Sequence, residues 1–253
     1  TAGGTCSPVL DFKSLCSRLT EDHLIVVVEK AGYGFSEDAD VERDIDTVLS
    51  ETREALYQAG FRPPYVLCPH SMSGIEALYW GQQYPEEVTA IIGLDMAVPA
   101  AYENMDINAP LMKLGSLGAR LGLTRWIPGL SEGDAICSGT LTEEEKELYR
   151  ALFYRNTLTE AMIREALAIK TSAALVEGGG KVDCPILMFA SDGSGGTGYD
   201  RETWRSFQTD FAKAQSNAEV VPLDCPHYVH DYEYREIAER MDAFLMELQQ
   251  ETE

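Results

Sequence analysis

The chemistry of this chain starts at Ser71, within Tyr65-Val66-Leu67-Cys68-Pro69-His70-Ser71-Met72-Ser73-Gly74. A short apolar run stops at Pro69 and passes, after the serine, into Ile75, Ala77, Leu78 and Trp80 at helical spacing. Strand, tight turn and helix in that order carry a serine hydroxyl to the tip of the turn, beside the positive end of the helix. A hydroxyl is a poor nucleophile until a base takes its proton, and serines in turns are common, so Ser71 needs a partner. The chain has four histidines, His23, His70, His227 and His230. His23 precedes a predicted strand, the wrong edge of a parallel sheet, whose sites form at the carboxyl ends. His70 adjoins Ser71, where neighbouring side chains usually diverge. His227 and His230 follow the last predicted strand at the edge where Ser71 emerges. His227 is the candidate base, with His230 as a supporting residue or its substitute.

A histidine base needs an acid that orients it and stabilises its protonated form. Two aspartates end apolar runs at that same edge: Asp95, after Ile91-Ile92-Gly93-Leu94, and Asp192, just beyond Pro185–Ala190. Either could instead be a carboxylate that accepts backbone N–H groups at a strand end.

The elements around these residues alternate. Apolar residues from Leu10 to Leu19 form a helical stripe, Leu24–Val28 is a largely β-branched run of strand type, and Asp40–Ala59 is helical, closed by Gly60. The strand before Pro69, the helix to Tyr84 and the strand Thr89–Leu94 follow. That alternation implies a parallel sheet covered on both faces. From residue 96 to 181 strand signals vanish. A capping-box pattern opens a helix over Thr142–Arg155, a second covers Thr159–Val176, and Gly178-Gly179-Gly180 reads as an exit hinge. Residues 1–95 and 182–253 therefore form one core, with 96–181 as an inserted helical cap. The sheet resumes with Pro185–Ala190, a helix over Arg201–Ala214, the strand Ala218–Leu223 and a final amphipathic helix, Ile237–Leu248.

Composition narrows the partners. The net charge of -22 argues against nucleic acid and against adsorption to anionic lipid. Six cysteines without metal-ligand or C-x-x-C spacing suggest a reducing, cytoplasmic compartment and no metal. No run of about 18 apolar residues is present, so no membrane span is expected in the chain as given.

In order, these motifs resemble the α/β-hydrolase superfamily of the serine type. His70-Ser71-Met72-Ser73-Gly74 resembles its nucleophile elbow, Gly32-Tyr33-Gly34-Phe35-Ser36 the loop after an early strand, and Asp224–His230 the histidine loop before the final helix. The resemblance covers essentially the whole chain. It implies an α/β fold with a mostly parallel sheet and a helical cap, no cofactor, and a Ser71–His227 pair acting on a small-molecule ester or amide by acyl transfer. It further implies an oxyanion held by the N–H groups of Met72 and, from the glycine turn Gly3-Gly4-Thr5, of Gly3. Asp95 resembles the acid of lipases in which it follows the earlier strand and is preferred; Asp192 is the alternative. The pattern departs in Pro69 and Ser73, where the family usually has glycine, and its first strands would lie upstream of Thr1. An iminopeptidase-like amide cleavage, with Glu144 or Glu145 holding a substrate amine, and a catalytically silent binding fold are the other readings. Gly193-Ser194-Gly195-Gly196-Thr197-Gly198 contains G-x-G-x-x-G, but so late in the chain it reads as a loop at the site mouth.

Overall fold

A computed structural model describes residues 5–19 and 23–252, with only the backbone of 251 and 252. Four parallel strands form the sheet in the order β1 (Tyr65–Leu67), β2 (Val88–Leu94), β3 (Ile186–Ala190), β4 (Ala218–Pro222). Helices precede it as α1 (Pro8–Asp11), α2 (Lys13–Leu19) and α3 (Ile45–Gln58), and α4 (Ser73–Gln83) crosses from β1 to β2. The long connection from β2 to β3 carries α5 (Ala109–Arg120), α6 (Asp134–Cys137), α7 (Glu143–Asn156) and α8 (Glu160–Gly179). Then α9 (Arg201–Ala214) joins β3 to β4, and α10 (Val229–Tyr232) and α11 (Tyr234–Thr252) close the chain.

Because strand side chains alternate between faces, one apolar run serves two cores. Ile91, Ile186 and Met188 pack with α3, α4, α8 and Trp204 of α9 on one face. Ile92, Leu187 and Phe189 pack with Phe12 between α1 and α2, Leu15 of α2, and Ile237 and Met241 of α11 on the other. The sheet's central strands are buried on both sides, as the sequence predicts.

Local signals fix most of the ends. Asp44 caps α3 by accepting from Thr47 N at 2.8 Å, and Gly60 closes it at φ +90°. Thr142 and Glu145 form a reciprocal capping box at α7.

One predicted strand is absent. Leu24–Val28 has no regular secondary structure and pairs with no strand among the described residues. Leu24 and Val26 face outward, while Ile25, Val27 and Val28 pack on the cores. The run lines an apolar groove of about 550 Å³ together with Tyr65–Cys68. An alternating apolar pattern selects a face, but a strand also needs backbone groups opposite it.

Candidate active site

β1 ends at Leu67, and after Pro69 the chain turns so tightly that Ser71 takes φ +53°. A non-glycine residue in that region carries strain of about 1–3 kcal/mol and persists because its surroundings hold it. Here the Ser71 carbonyl accepts from Ala97 N at 2.8 Å, and Leu94 N donates to the Pro69 carbonyl at 2.8 Å. A side chain at Gly74 would collide with the Ala97 carbonyl, so smallness is required where α4 passes the end of β2. Ser73 and Pro69, the departures from the family pattern, are both buried.

The structure brings Ser71, His227 and Asp95 together. Ser71 Oγ lies 2.8 Å from His227 Nε2, and His227 Nδ1 lies 2.5 Å from Asp95 Oδ2. Asp95 follows β2 with φ +47° and is wholly buried. Its other oxygen accepts from Ser191 N (2.8 Å), Trp204 Nε1 (2.8 Å) and Gln208 Nε2 (3.2 Å). Asp192 is elsewhere: it accepts from the backbone N–H and hydroxyl of Ser194 and faces Arg201 at 3.5 Å. Those hydrogen bonds hold its carboxyl below the usual range.

The glycine-rich loop packs against the histidine. A Cβ at Gly196 would stand 3.2 Å from His227 Cδ2, and His227 N donates to the Ser194 carbonyl at 2.8 Å. The glycines there make room for an imidazole.

His70, set aside in the sequence because adjacent side chains diverge, does not point at Ser71 but reaches the same histidine from behind. Its Nε2 lies 3.2 Å from the His227 carbonyl, and its ring packs between those of His227 (4.6 Å, tilted) and His230 (4.7 Å, edge-on). Burial keeps both supporting histidines neutral, with His70 well below the ordinary value and His230 lowered to about 3. His230 is wholly buried against Phe12 and does not reach Ser71. Trp204 and Gln208, which fix Asp95, carry no signal in the sequence; they lie on the helix after the loop, and only the fold brings them to the carboxylate.

Met72 is the N-cap of α4, and its N–H makes no hydrogen bond among the described residues. It borders, with Ser71 and His227, a cavity of about 470 Å³. Gly3, the other expected oxyanion donor, lies outside the described residues. The cavity wall is mostly apolar, from Met105, Ile107, Met112, Phe153 and Met162 of the connection between β2 and β3, and among the described residues it contains Asp134 but no Lys or Arg. Glu144 and Glu145 do not border it; Glu145 caps α7 and pairs with Lys13.

No family model matches the chain. Over 241 residues it is 34% identical to the uncharacterized protein YbdG of Bacillus subtilis (strain 168), spanning 92% of this chain and 74% of that protein. The chain belongs to the YbdG family. Among solved structures, the haloalkane dehalogenase DbeA of Bradyrhizobium elkani superposes with a TM-score of 0.72 at 15% identity, over 98% of this chain and 89% of that one. The epoxide hydrolase CorEH gives 0.67 at 16%, over 98% and 90%. Cfl2 of Burkholderia cenocepacia gives 0.69 at 17%, over 96% and 85%. At such identities the likeness is one of fold, and this member of the YbdG family has the α/β-hydrolase fold.

Proposed function

We propose that the protein is a serine hydrolase that cleaves a small carboxylic ester through an acyl-enzyme. The observation that carries this reading is the continuous contact from Ser71 Oγ through the His227 ring to the buried Asp95 carboxylate, with the Ser71 end opening on the cavity. His227 takes the serine proton as Ser71 attacks the carbonyl carbon, and Asp95 stabilises the imidazolium that forms. The Met72 N–H, at the positive end of α4, receives the developing oxyanion; one such donor is typically worth about 3 kcal/mol. His227 returns the proton to the leaving alcohol, and water repeats the cycle on the acyl-enzyme. The insertion acts as a cap over the acyl group. Its methionine-rich wall adapts to varied apolar chains, and with no Lys or Arg among the described residues of the wall a free carboxylate finds no cationic partner among them.

Asp134 favours a second reading, the cleavage of aminoacyl amides. Its carboxylate borders the cavity and accepts from Tyr232 Oη at 2.7 Å, which leaves its second oxygen for a substrate ammonium.

Turnover of p-nitrophenyl esters of increasing acyl length, set beside aminoacyl p-nitroanilides, tests both. Ester turnover that Ser71→Ala abolishes supports the first reading. Anilide turnover that Asp134→Asn selectively weakens supports the second, and no turnover of either class contradicts both.

A further inference from the structure

The insertion carries a helix that is inside out. In α5, Leu111, Leu114 and Leu117, with Leu121 at its C-terminal cap, recur at three- and four-residue spacing, which puts them on one stripe. A stripe of leucines normally faces the core, yet these are 62%, 65%, 52% and 66% exposed. The inward positions are instead Ser116 and Ala119, and Gly115 lets Leu158 approach. The exposed apolar surface continues through Leu123, Ile127 and Trp126, the last 83% exposed. Single exposed leucines need no explanation, but a contiguous patch of this kind marks a surface that something covers.

Charge identifies the occupant. Between Asp106 and Glu132 the chain has no acidic residue but holds Lys113, Arg120 and Arg125, in a protein whose net charge is -22. An apolar stripe flanked by cations and ending in an exposed tryptophan fits the boundary between headgroups and acyl chains, where the leucines enter hydrocarbon and the cations meet phosphates. No helix among the described residues is long and apolar enough to cross a membrane, so such a segment would lie on the surface. We infer that the Leu111–Leu130 face of the insertion docks on a phospholipid surface. The net charge argues against adsorption of the molecule at large, but the charge at this face has the opposite sign. Its inner side includes Met112, which borders the cavity with Ser71, so docking turns the insertion towards the membrane. If Ser71 acts as proposed above, esters partitioned into lipid are the natural substrates. The docking itself does not depend on that reading.

The test uses phosphatidylcholine vesicles and the Ser71→Ala protein beside wild type, so that binding is read without catalysis. Of the three tryptophans, Trp80 and Trp204 are buried, so a change in intrinsic fluorescence on binding reports Trp126. The expected result is co-sedimentation with vesicles, a blue shift, and quenching by lipids brominated along the acyl chain, in both proteins. Leu114→Glu combined with Leu121→Glu should weaken partition at least tenfold while turnover of a short soluble ester persists. Absence of partition, or partition that the double variant retains, overturns the inference. Concentration-dependent self-association without vesicle binding also overturns it, in favour of a second copy of the chain. Brominated-lipid quenching needs only the unmutated face, so it decides the matter even if the double variant fails to fold.

Discussion

Asp95 Oδ2 lies 2.5 Å from His227 Nδ1, although the two residues belong to loops separated by the long connection from β2 to β3 and by two further strands. The contact forms because β2, β3 and β4 are neighbours in register, so that the ends of β2 and β4 open on the same edge. Asp192, one strand nearer to His227 in the sheet, turns away to Ser194 and Arg201. Asp95→Asn should therefore lower kcat on the order of 10⁴-fold, as loss of the orienting carboxylate does in such triads. Asp192→Asn should leave kcat within about threefold. Steady-state kinetics of the two variants on one ester separate the candidates.

Gly196→Ala should damage activity more than stability. Its φ of +146° is unfavourable for alanine, and the new methyl would press on His227 Cδ2. A displacement of about 1 Å at a reacting group costs on the order of 10²-fold in rate. The expected outcome is a loss of that size in kcat with little change in KM, measured beside the melting temperature.

His230 is buried and neutral, lowered to about 3 by burial and by the neighbouring His227. The unfolded chain takes up a proton near pH 6.5 and the folded one does not until about pH 3. Stability from this site is therefore complete above pH 6.5 and is lost as pH falls, by up to about 1.4 kcal/mol per pH unit. His230→Phe, packed on Phe12, should flatten the decline between pH 6.5 and 4 in urea unfolding, relative to wild type. An unchanged slope contradicts the assignment.

Lys30 stands between Glu76 of α4 and Glu165 of α8, and all three are buried. Its ammonium is raised above its ordinary value; burial opposes the shift, and the two carboxylates outweigh it. Lys30→Met leaves two carboxylates facing each other away from water, a loss of about 3–5 kcal/mol. A fall in melting temperature of about 10 °C is expected. Glu165→Gln, which leaves one ion pair intact, should cost much less.

How much of this was legible in the sequence depended on whether the signal was local. The caps at Asp44, Thr142 and Gly60, the apolar runs of β2 and β3 and the elbow at Ser71 all depend on a few neighbouring residues, and they stand where the sequence put them. Leu24–Val28 failed because pairing depends on a backbone partner that no side-chain pattern encodes. In the sequence Asp95 is preferred to Asp192 only through a resemblance, since both end apolar runs, and the strand order shows which of them reaches His227. The contacts from Trp204, Gln208 and His70 were invisible because each spans a distance in the chain that only the fold closes. Leucines at helical spacing in α5 resemble a core stripe, and only exposure reveals that they face outward.

The most direct test of the account is to treat the purified protein with a fluorophosphonate and map the modified residue by peptide mass spectrometry. Modification is expected at Ser71 and is lost in Ser71→Ala and in His227→Ala. Folded wild-type protein that stays unmodified, or that is modified at another serine, would contradict it.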